Sequence, residues 1–348
     1  MPRLTTLFAT TAIVFAGFAA TAHADGELRL YNWSNYFPPT LIEKFEKETG
    51  TKVTLDSFAS EDDLLAKLQA GGGGYDVIFP GTTTFVVMTE KGLLEKIDTN
   101  QMANYGNVLP AFQSIAGDDK REYSAPYMWG TTGFTYDPAA VPGGKLEESW
   151  KEVFEPRDEL KGKIAMLNEM TDVWNAAAFY LDVDKCTEDP AEAQKILDLL
   201  EKQKPDVKLY SSEGTIDRVI AGEVPLHMQW NGAAHRVKEK KADVVYVYPK
   251  EGTTFWTDQM AVPKGAPNLE NAKIFIDWML KPENAAEASN YTGYSNAIAG
   301  SGDFLKDDLK ADPAVNMPEE YAERLRPFTA CSPASKDLRE RDWTKLKS

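Results

Sequence analysis

Cysteine and histidine are scarce in this chain of 348 residues, which contains two cysteines and three histidines. Two cysteines are too few for the disulfide scaffold that holds many small secreted domains together, and no CxxC pair indicates thiol redox chemistry. His227 and His235 are eight residues apart, a spacing that does not favour a metal-binding pair on a helix, and no HExxH motif occurs. We therefore predict that the protein uses no metal and no cofactor.

The motifs of common catalytic and phosphate-binding sites are also absent. There is no GxSxG nucleophile turn, no GxGxxG follows the first predicted strand, and the glycines at 71–74 are not followed by the Lys-Ser/Thr pair of a phosphate-binding loop. Glu169 and Asp172 could act as the acid–base pair of a hydrolase, which is an alternative function that turnover of a ligand would reveal. Since nothing else indicates catalysis, we predict no catalytic residues and no enzyme activity.

Basic residues are outnumbered, with 38 Lys and Arg against 54 Asp and Glu and a formal net charge of −16. Binding to nucleic acid needs a face rich in Lys and Arg, so we expect no nucleic-acid partner. The hydrophobic content of 43% and the charged content of 26% are ordinary for a globular protein. The acidic balance favours a cationic or neutral partner.

A single long apolar run occurs, and it lies at the amino terminus. Arg3 precedes an uncharged run from Leu7 to Ala20, and Ala22-His23-Ala24 is typical of a signal-peptidase site. The run is too short to span a membrane comfortably. We therefore predict a signal peptide over residues 1–24 and export to a bacterial periplasm. Export would place Cys186 and Cys331 in an oxidising compartment, where either a disulfide between them or two separate thiols is compatible with the sequence.

Short apolar runs alternate with amphipathic helical patterns along the chain. Near the start, strands are predicted at Leu28–Tyr31, Lys52–Leu55 and Asp76–Pro80, separated by a helix that Pro38 and Pro39 open and by a second helix around Leu64. This repetition predicts βαβ units and a mainly parallel sheet. The middle of the chain repeats the pattern without a linker. We therefore expect two α/β lobes joined by more than one crossing, with candidate crossings at Trp129–Tyr136 and Gly252–Trp256.

Aromatic residues recur beside carboxylates at turns and at the ends of predicted strands. Each cluster also has an ordinary structural explanation, such as a helix N-cap at Asp172 or core packing of Trp230. Taken together, rings and carboxylates with little nearby Lys or Arg favour a site for an organic cation, held by cation–π attraction and charge-assisted hydrogen bonds. The clusters are Tyr31–Tyr36, Glu169–Trp174, Gln229–Gly232, Phe255–Asp258 and Tyr291–Tyr294.

At these residues the sequence resembles the periplasmic polyamine-binding proteins of bacterial ABC uptake systems, the spermidine/putrescine-binding family. The resemblance extends over nearly the whole chain after residue 24, and its segments are specific as a group although each is weak alone. They are Tyr31–Tyr36 with Pro38-Pro39, Tyr75–Pro80, Pro126–Gly130, Trp230–Gly232, Pro249–Gly252, Phe255–Asp258, Gly293-Tyr294 and Trp343–Lys345.

The resemblance implies an α/β fold of the two-lobe periplasmic-binding-protein type, type II-like, with a ligand cleft between the lobes. Lobe 1 would comprise residues 25–131 and 256–300, and lobe 2 would comprise residues 132–255 and 301–348. It also implies a monomer that captures spermidine, putrescine or both between closing lobes and delivers the polyamine to an ABC permease.

The resemblance further implies a set of ligand-binding residues. An acid at position 169 and Trp256 are closer to the spermidine-preferring members than to the strictly putrescine-preferring ones. The expected residues are Trp33, Ser34, Asn35, Tyr36, Thr83, Glu169, Asp172, Trp230, Trp256, Asp258 and Tyr294.

Three positions depart from the family pattern at the end of the pocket that sets ligand length. Gly81 replaces the usual Ser, Thr83 replaces a common aromatic residue, and Asn35 replaces a frequent acid. Another cationic amine is therefore an alternative ligand. Ferric iron is less favoured because no adjacent Tyr-Tyr pair occurs, and a role in docking to a chemoreceptor or scaffold would differ only in the protein's partner.

Overall fold

The computed structural model describes residues 26–71, 73–327 and 331–348. The predicted signal peptide, residues 1–24, lies outside the described residues. Within the described part of the chain, no helix combines the length and the apolar character needed to cross a membrane.

The described chain alternates strands and helices, as the sequence pattern predicts. The strands are β1 (Gly26–Trp33), β2 (Thr51–Phe58), β3 (Val77–Ile78), β4 (Ser124–Tyr136), β5 (Ile164–Met166), β6 (Val207–Tyr210), β7 (Leu226–Trp230), β8 (Val245–Val247), β9 (Thr253–Ala261), β10 (Ser295–Asn296) and β11 (Leu325–Arg326). The α-helices are α1 (Pro39–Thr49), α2 (Glu61–Gln69), α3 (Thr82–Glu90), α4 (Lys151–Phe154), α5 (Met170–Tyr180), α6 (Pro190–Gln203), α7 (Thr215–Ile220), α8 (Asn231–Lys238), α9 (Leu269–Met279), α10 (Pro282–Thr292), α11 (Asp307–Ala311) and α12 (Pro333–Lys347).

Local sequence signals explain where the first helices begin and end. α1 begins at Pro39, whose missing N–H would have no helical partner there, and it ends at Gly50, which has a φ of 78° and donates its N–H to Glu46 O at 2.8 Å. α2 follows Ser60, whose side chain accepts a hydrogen bond from the Asp63 N–H at 3.2 Å. These different terminal signals fix the turns that connect the two helices to the neighbouring strands.

The strands form one connected sheet in the order β2-β1-β3-β9-β4-β7-β5-β6, with β8 and β10 beside β4 and β11 beside β9. β1 runs parallel to β2 and β3, and β5 runs parallel to β6 and β7. β9 and β4, which join these two groups, are antiparallel to each other and to β3 and β7 respectively. The expectation of a mainly parallel sheet is therefore wrong at the centre of the sheet. The chain crosses between the two halves along β4 and crosses back along β9, so these two strands run in opposite directions.

β4 and β9 are the long strands that both halves of the sheet share. Their register pairs Ser124 with Ala261 at one end and Thr132 with Thr254 at the other. The two segments expected to cross between lobes lie on them: Trp129–Tyr136 is within β4, and all but the first residue of Gly252–Trp256 is within β9. The residue bounds given above for the two lobes stay a prediction.

Two large hydrophobic cores lie on either side of this shared pair of strands. The first contains Leu30, Phe45 and Phe275, and the second contains Trp174 and Ile196. Trp230, at the end of β7, packs against both cores. The side chain of this one residue therefore stands where the two halves of the protein meet.

Cys186 and Cys331 form a disulfide, which resolves the alternative that the sequence left open. The bond joins the segment after α5 to the residue before the N-cap of α12, across a sequence separation of 145 residues. α12 also packs against α5 and α6. The disulfide thus fastens the C-terminal helix to the half of the protein that contains β5 and β6.

Breaking this disulfide is expected to lower the free energy of unfolding by about 2–4 kcal/mol, because the cross-link closes a long loop and restricts the unfolded chain. Urea unfolding with and without dithiothreitol would measure the loss. The Cys186→Ser/Cys331→Ser variant should match the reduced protein and should not respond to dithiothreitol. Equal unfolding midpoints for the oxidised and reduced protein would contradict a stabilising role.

Candidate functional site

A cavity of about 550 Å³ opens between the two halves of the sheet. All the residues expected from the sequence to bind ligand line this one cavity. They are Trp33, Ser34, Asn35, Tyr36, Thr83, Glu169, Asp172, Trp230, Trp256, Asp258 and Tyr294. Ser34 and Asn35 are exposed and Thr83 is partly exposed, whereas the acids and Tyr36 and Tyr294 are buried.

The cavity lies at the carboxyl ends of strands from both halves of the sheet, where open α/β sheets bind their ligands. The lining from the first half follows β1, β2 and β3, and the lining from the second half follows β5, β6 and β7. Trp256 and Asp258 lie within β9, one of the two strands that the halves share. Both halves and their connection therefore contribute residues to one site.

Aromatic rings form the walls of the cavity. The ring centroids of Trp33 and Trp230 are 6.2 Å apart, those of Tyr36 and Tyr294 are 5.4 Å apart, and those of Trp256 and Tyr294 are 5.3 Å apart, all edge-to-face. Trp33 is further held by a hydrogen bond of 3.0 Å from its Nε1 to Phe79 O. Gly232 allows this packing, because a Cβ at that position would overlap the Tyr294 ring.

The buried acids of the cavity are held by hydrogen bonds to their neighbours. Asp258 Oδ2 accepts from the Tyr36 hydroxyl at 2.8 Å. Asp172 Oδ1 accepts from Thr132 Oγ1 at 2.7 Å, and its Oδ2 accepts from Trp230 Nε1 at 2.9 Å. These bonds fix each carboxylate in one orientation before any ligand arrives.

Burial raises the pKa of these acids, because water no longer solvates their charged forms. The pKa of Asp258 is well above its ordinary value through burial first and then through the charge of Glu61. The pKa of Glu169 is raised in the same way. Burial also raises the pKa of Asp172, against the hydrogen bonds from Thr132 and Trp230. A cation in the cavity would offset the free-energy cost of burying these charges and so favour the charged forms of the acids.

Glu61 is a cavity acid that the sequence reasoning missed. It is the first residue of α2, and its Oε1 accepts a hydrogen bond of 2.7 Å from the Gly81 N–H. Burial raises its pKa to about 7, reinforced by the charges of Asp62 and Asp172 and opposed by the hydrogen bond from the Gly81 N–H. The only sequence signal at this position is a serine followed by acids, which is typical of a helix start and indicates capping rather than a ligand site.

Other missed residues extend the lining along α5 and α7. Asn175 follows Glu169 and Asp172 at spacings of three, and all three residues line the cavity at the start of α5. Glu213 and Asp217 line the cavity at the start of α7. Arg236 is the one basic side chain among the described residues that line the cavity, and its Nη1 donates to Asn35 O at 3.2 Å. Acids thus far outnumber bases in the lining.

Several buried polar atoms of the lining make no hydrogen bond within the described residues. They are Glu61 Oε2, Glu169 Oε1, Asn175 Oδ1 and Trp256 Nε1. Buried polar atoms are almost always paired in folded proteins, so atoms like these indicate a place where a ligand or water completes the bonding. Three of the four accept hydrogen bonds, and a ligand rich in N–H donors matches them.

A potential metal-binding group lies away from the cavity. Among the described residues, atoms of His235, Glu239 and Asp308 lie within 4.8 Å of one another. Glu239 and Asp308 are exposed, and His235 Nδ1 already contacts Asp312 Oδ2 at 2.8 Å. None of the three lines the cavity.

Comparisons with known proteins agree on one family. A family model described as bacterial extracellular solute-binding protein matches residues 40–318. The putrescine-binding periplasmic protein SpuD of Pseudomonas aeruginosa is 32% identical over 99% of this chain and 98% of its own. The spermidine/putrescine-binding periplasmic protein of Escherichia coli is 32% identical over 89% and 88% of the two chains. A solved structure, titled a putative spermidine/putrescine ABC transporter from Listeria monocytogenes, superposes with a TM-score of 0.86 at 30% identity, covering 92% of this chain and 98% of that one.

The buried acids predict how stability depends on pH in the absence of ligand. Because the pKa of Glu61 is about 7 in the folded protein against an ordinary 4.5, the folded state holds a proton there that the unfolded chain has lost. The free energy of unfolding should therefore fall as pH rises from about 4.5 to about 7, and Glu169 and Asp258 act in the same direction. Urea unfolding at several pH values would measure this.

Glu61→Gln should reduce the fall, since glutamine keeps an acceptor for the Gly81 N–H but does not titrate. Asp243→Asn, which removes an exposed carboxylate, is the matched control and should behave like the parent protein. An identical pH dependence in Glu61→Gln and the parent would contradict a buried, ionisable Glu61.

Proposed function

The chain belongs to the family of bacterial extracellular solute-binding proteins, and we propose that it captures a polyamine in the cavity between its lobes and delivers it to an ABC permease. Members of this family bind solutes for transport and are not enzymes, so the alternative of a hydrolase is not retained. The protein is periplasmic, and residues 1–24 are proposed to be the signal peptide that exports it. We further propose that it acts as a monomer and binds no nucleic acid.

The observation that carries the polyamine proposal is the excess of buried acidic acceptors inside aromatic walls, of which Glu61 Oε2 and Glu169 Oε1 have no hydrogen-bond partner among the described residues. Glu61, Glu169, Asp172 and Asp258 line the same cavity, and Arg236 is the one basic side chain among its described lining residues. Ammonium groups supply N–H donors and positive charge to such carboxylates, and charge-assisted hydrogen bonds are about twice as strong as neutral ones. A neutral or anionic solute would leave these acids uncompensated.

The aromatic rings suit the methylene segments that separate the ammonium groups of a polyamine. Trp33, Tyr36, Trp230, Trp256 and Tyr294 would enclose these segments, which bury apolar surface against the ring faces. Each ammonium beside a ring face adds a cation–π attraction of about 0.5–2 kcal/mol. We propose that Asp258 binds one ammonium and that Glu169 and Asp172 bind the amine at the far end or centre.

Capture would proceed by closure of the lobes over the ligand. Trp33 and Trp230 approach each other across the cavity, and Arg236 bonds to the backbone of Asn35 on its opposite wall. A ligand that contacts both walls stabilises the arrangement in which they are close, and so it shifts the population toward the closed form. The closed form is the one that a permease would recognise as loaded.

The residues at positions 35, 81 and 83 leave another cationic amine as an alternative ligand. These residues depart from the usual pattern of the polyamine-binding proteins, and all three line the cavity. A related cationic amine, such as agmatine, is therefore included among the ligands to be tested.

The protein should be stabilised by the polyamine that it carries. Thermal melts of the chain without residues 1–24 would be recorded with putrescine, cadaverine, spermidine, spermine, agmatine and a neutral amino acid. A ligand at 100 times its dissociation constant adds about 2.7 kcal/mol and raises the melting temperature by several degrees. Mass spectrometry of the supernatant after denaturation would identify any amine that copurifies. Failure of every polyamine, with no copurified amine, would contradict the proposal.

Asp258→Asn should weaken polyamine binding by more than tenfold, which corresponds to about 1.4 kcal/mol, because it removes the charge that faces one ammonium. Isothermal titration would measure the change. Asp243→Asn makes the same chemical change at an exposed acid that does not line the cavity, and it should leave the affinity unaltered. An unchanged affinity in Asp258→Asn would remove Asp258 from the site.

A further inference from the structure

Gly81 is a glycine whose backbone does not require glycine. It lies just before α3 with φ of −69° and ψ of 162°, an extended conformation that any residue adopts. A Cβ on Gly81 would stand 2.7 Å from Glu61 Oε1 and 3.3 Å from Asp258 Oδ1. The residue therefore matters for the space that it leaves open between two carboxylates.

Glu61 reaches this space from the start of α2. One of its oxygens accepts from the Gly81 N–H, which fixes the position of the carboxylate group. The other, Oε2, is buried and has no hydrogen-bond partner among the described residues. Glu61 thus presents a held but incompletely bonded carboxylate to the cavity.

Asp258 reaches the same space from β9, which is bridged to Gly81 in an antiparallel pairing. Its Oδ2 is occupied by the Tyr36 hydroxyl, which leaves Oδ1 directed toward the gap at Gly81. Glu61 Oε1 and Asp258 Oδ1 lie close to each other, since both are near the position that a Cβ on Gly81 would occupy. A single nitrogen between the two carboxylates can therefore bond to both. Two acids of like charge this close favour a cation between them.

We propose that Glu61 and Asp258 form a clamp for one primary ammonium group of the ligand, with Gly81 keeping the clamp open. The inference rests on the proposed function and specifies it further. A primary ammonium carries three donors, of which the clamp binds at least two, whereas a neutral or fully alkylated end offers too few. Glu61 also adds one negative charge to the recognition site, so it strengthens the selection for ligands with several ammonium groups.

The clamp is tested by isothermal titration of putrescine and spermidine into the parent protein and three variants, each dialysed free of amines. Glu61→Gln should weaken binding of both polyamines by tenfold or more, although it keeps the acceptor that Gly81 needs. Gly81→Ala should also weaken binding by tenfold or more, since its methyl group would enter the clamp. Asp243→Asn, which removes an exposed charge outside the cavity lining, should stay within about threefold of the parent.

The double variant Glu61→Gln/Gly81→Ala separates a shared clamp from two unrelated defects. If both residues act on the same ammonium, the double variant should have almost the same polyamine affinity as the single variant that binds less tightly. The reason is that the second change removes an interaction that the first has already removed. Circular dichroism and thermal melts would verify that each variant is folded.

The outcomes distinguish this inference from the proposed function. A parent protein that binds polyamines, with Glu61→Gln binding them equally well or better, would overturn the clamp and leave the proposed function intact. Fully additive losses in the double variant would also overturn it. A parent protein that binds no polyamine would overturn both the clamp and the proposed function.

Discussion

Uncompensated negative charge inside the cavity is the constraint on which the rest of the site depends. A buried carboxylate is costly unless hydrogen bonds or an opposite charge compensate it. The protein supplies part of that compensation through the Tyr36 hydroxyl, Thr132, the Trp230 indole and the Gly81 N–H. The remainder is left to the ligand, so the same carboxylates that weaken the ligand-free protein would provide the proposed affinity for a cation.

The shared strands β4 and β9 allow this charge to be divided between two walls. Glu61 and Asp258 stand on one side and Glu169 and Asp172 on the other, and their carboxylates still influence one another's pKa. A cation bound between them would neutralise charge contributed by both walls. If the walls were apart, each would retain negative charge that no cation neutralises. Electrostatic compensation and the contact of Trp230 with both cores therefore favour the same closed arrangement.

The sequence predicts most of the cavity because the relevant residues follow apolar runs. Trp33 and Tyr36 after β1, and Glu169 and Asp172 after β5, stand out as polar and aromatic residues at strand ends. Glu61 does not stand out, since Ser60 and the acids after it are what any helix start requires. The antiparallel centre of the sheet and the disulfide escape prediction for a related reason. Both depend on which distant segments lie side by side, and local patterns contain no information on that pairing.

The aromatic wall gives the protein an optical property as well as a binding surface. Of the eight tryptophans in the chain, Trp33, Trp230 and Trp256 line the cavity, whereas Trp150 and Trp174 are buried in a core. Indole emission depends on the polarity around the ring, so cavity indoles change their fluorescence when an amine replaces water, while core indoles give a constant background. The pair formed by Trp33 and Trp230 stands across the two walls, and its emission would therefore report the proposed opening and closing of the protein. The molecule contains its own sensor, and no dye needs to be attached to follow its motion.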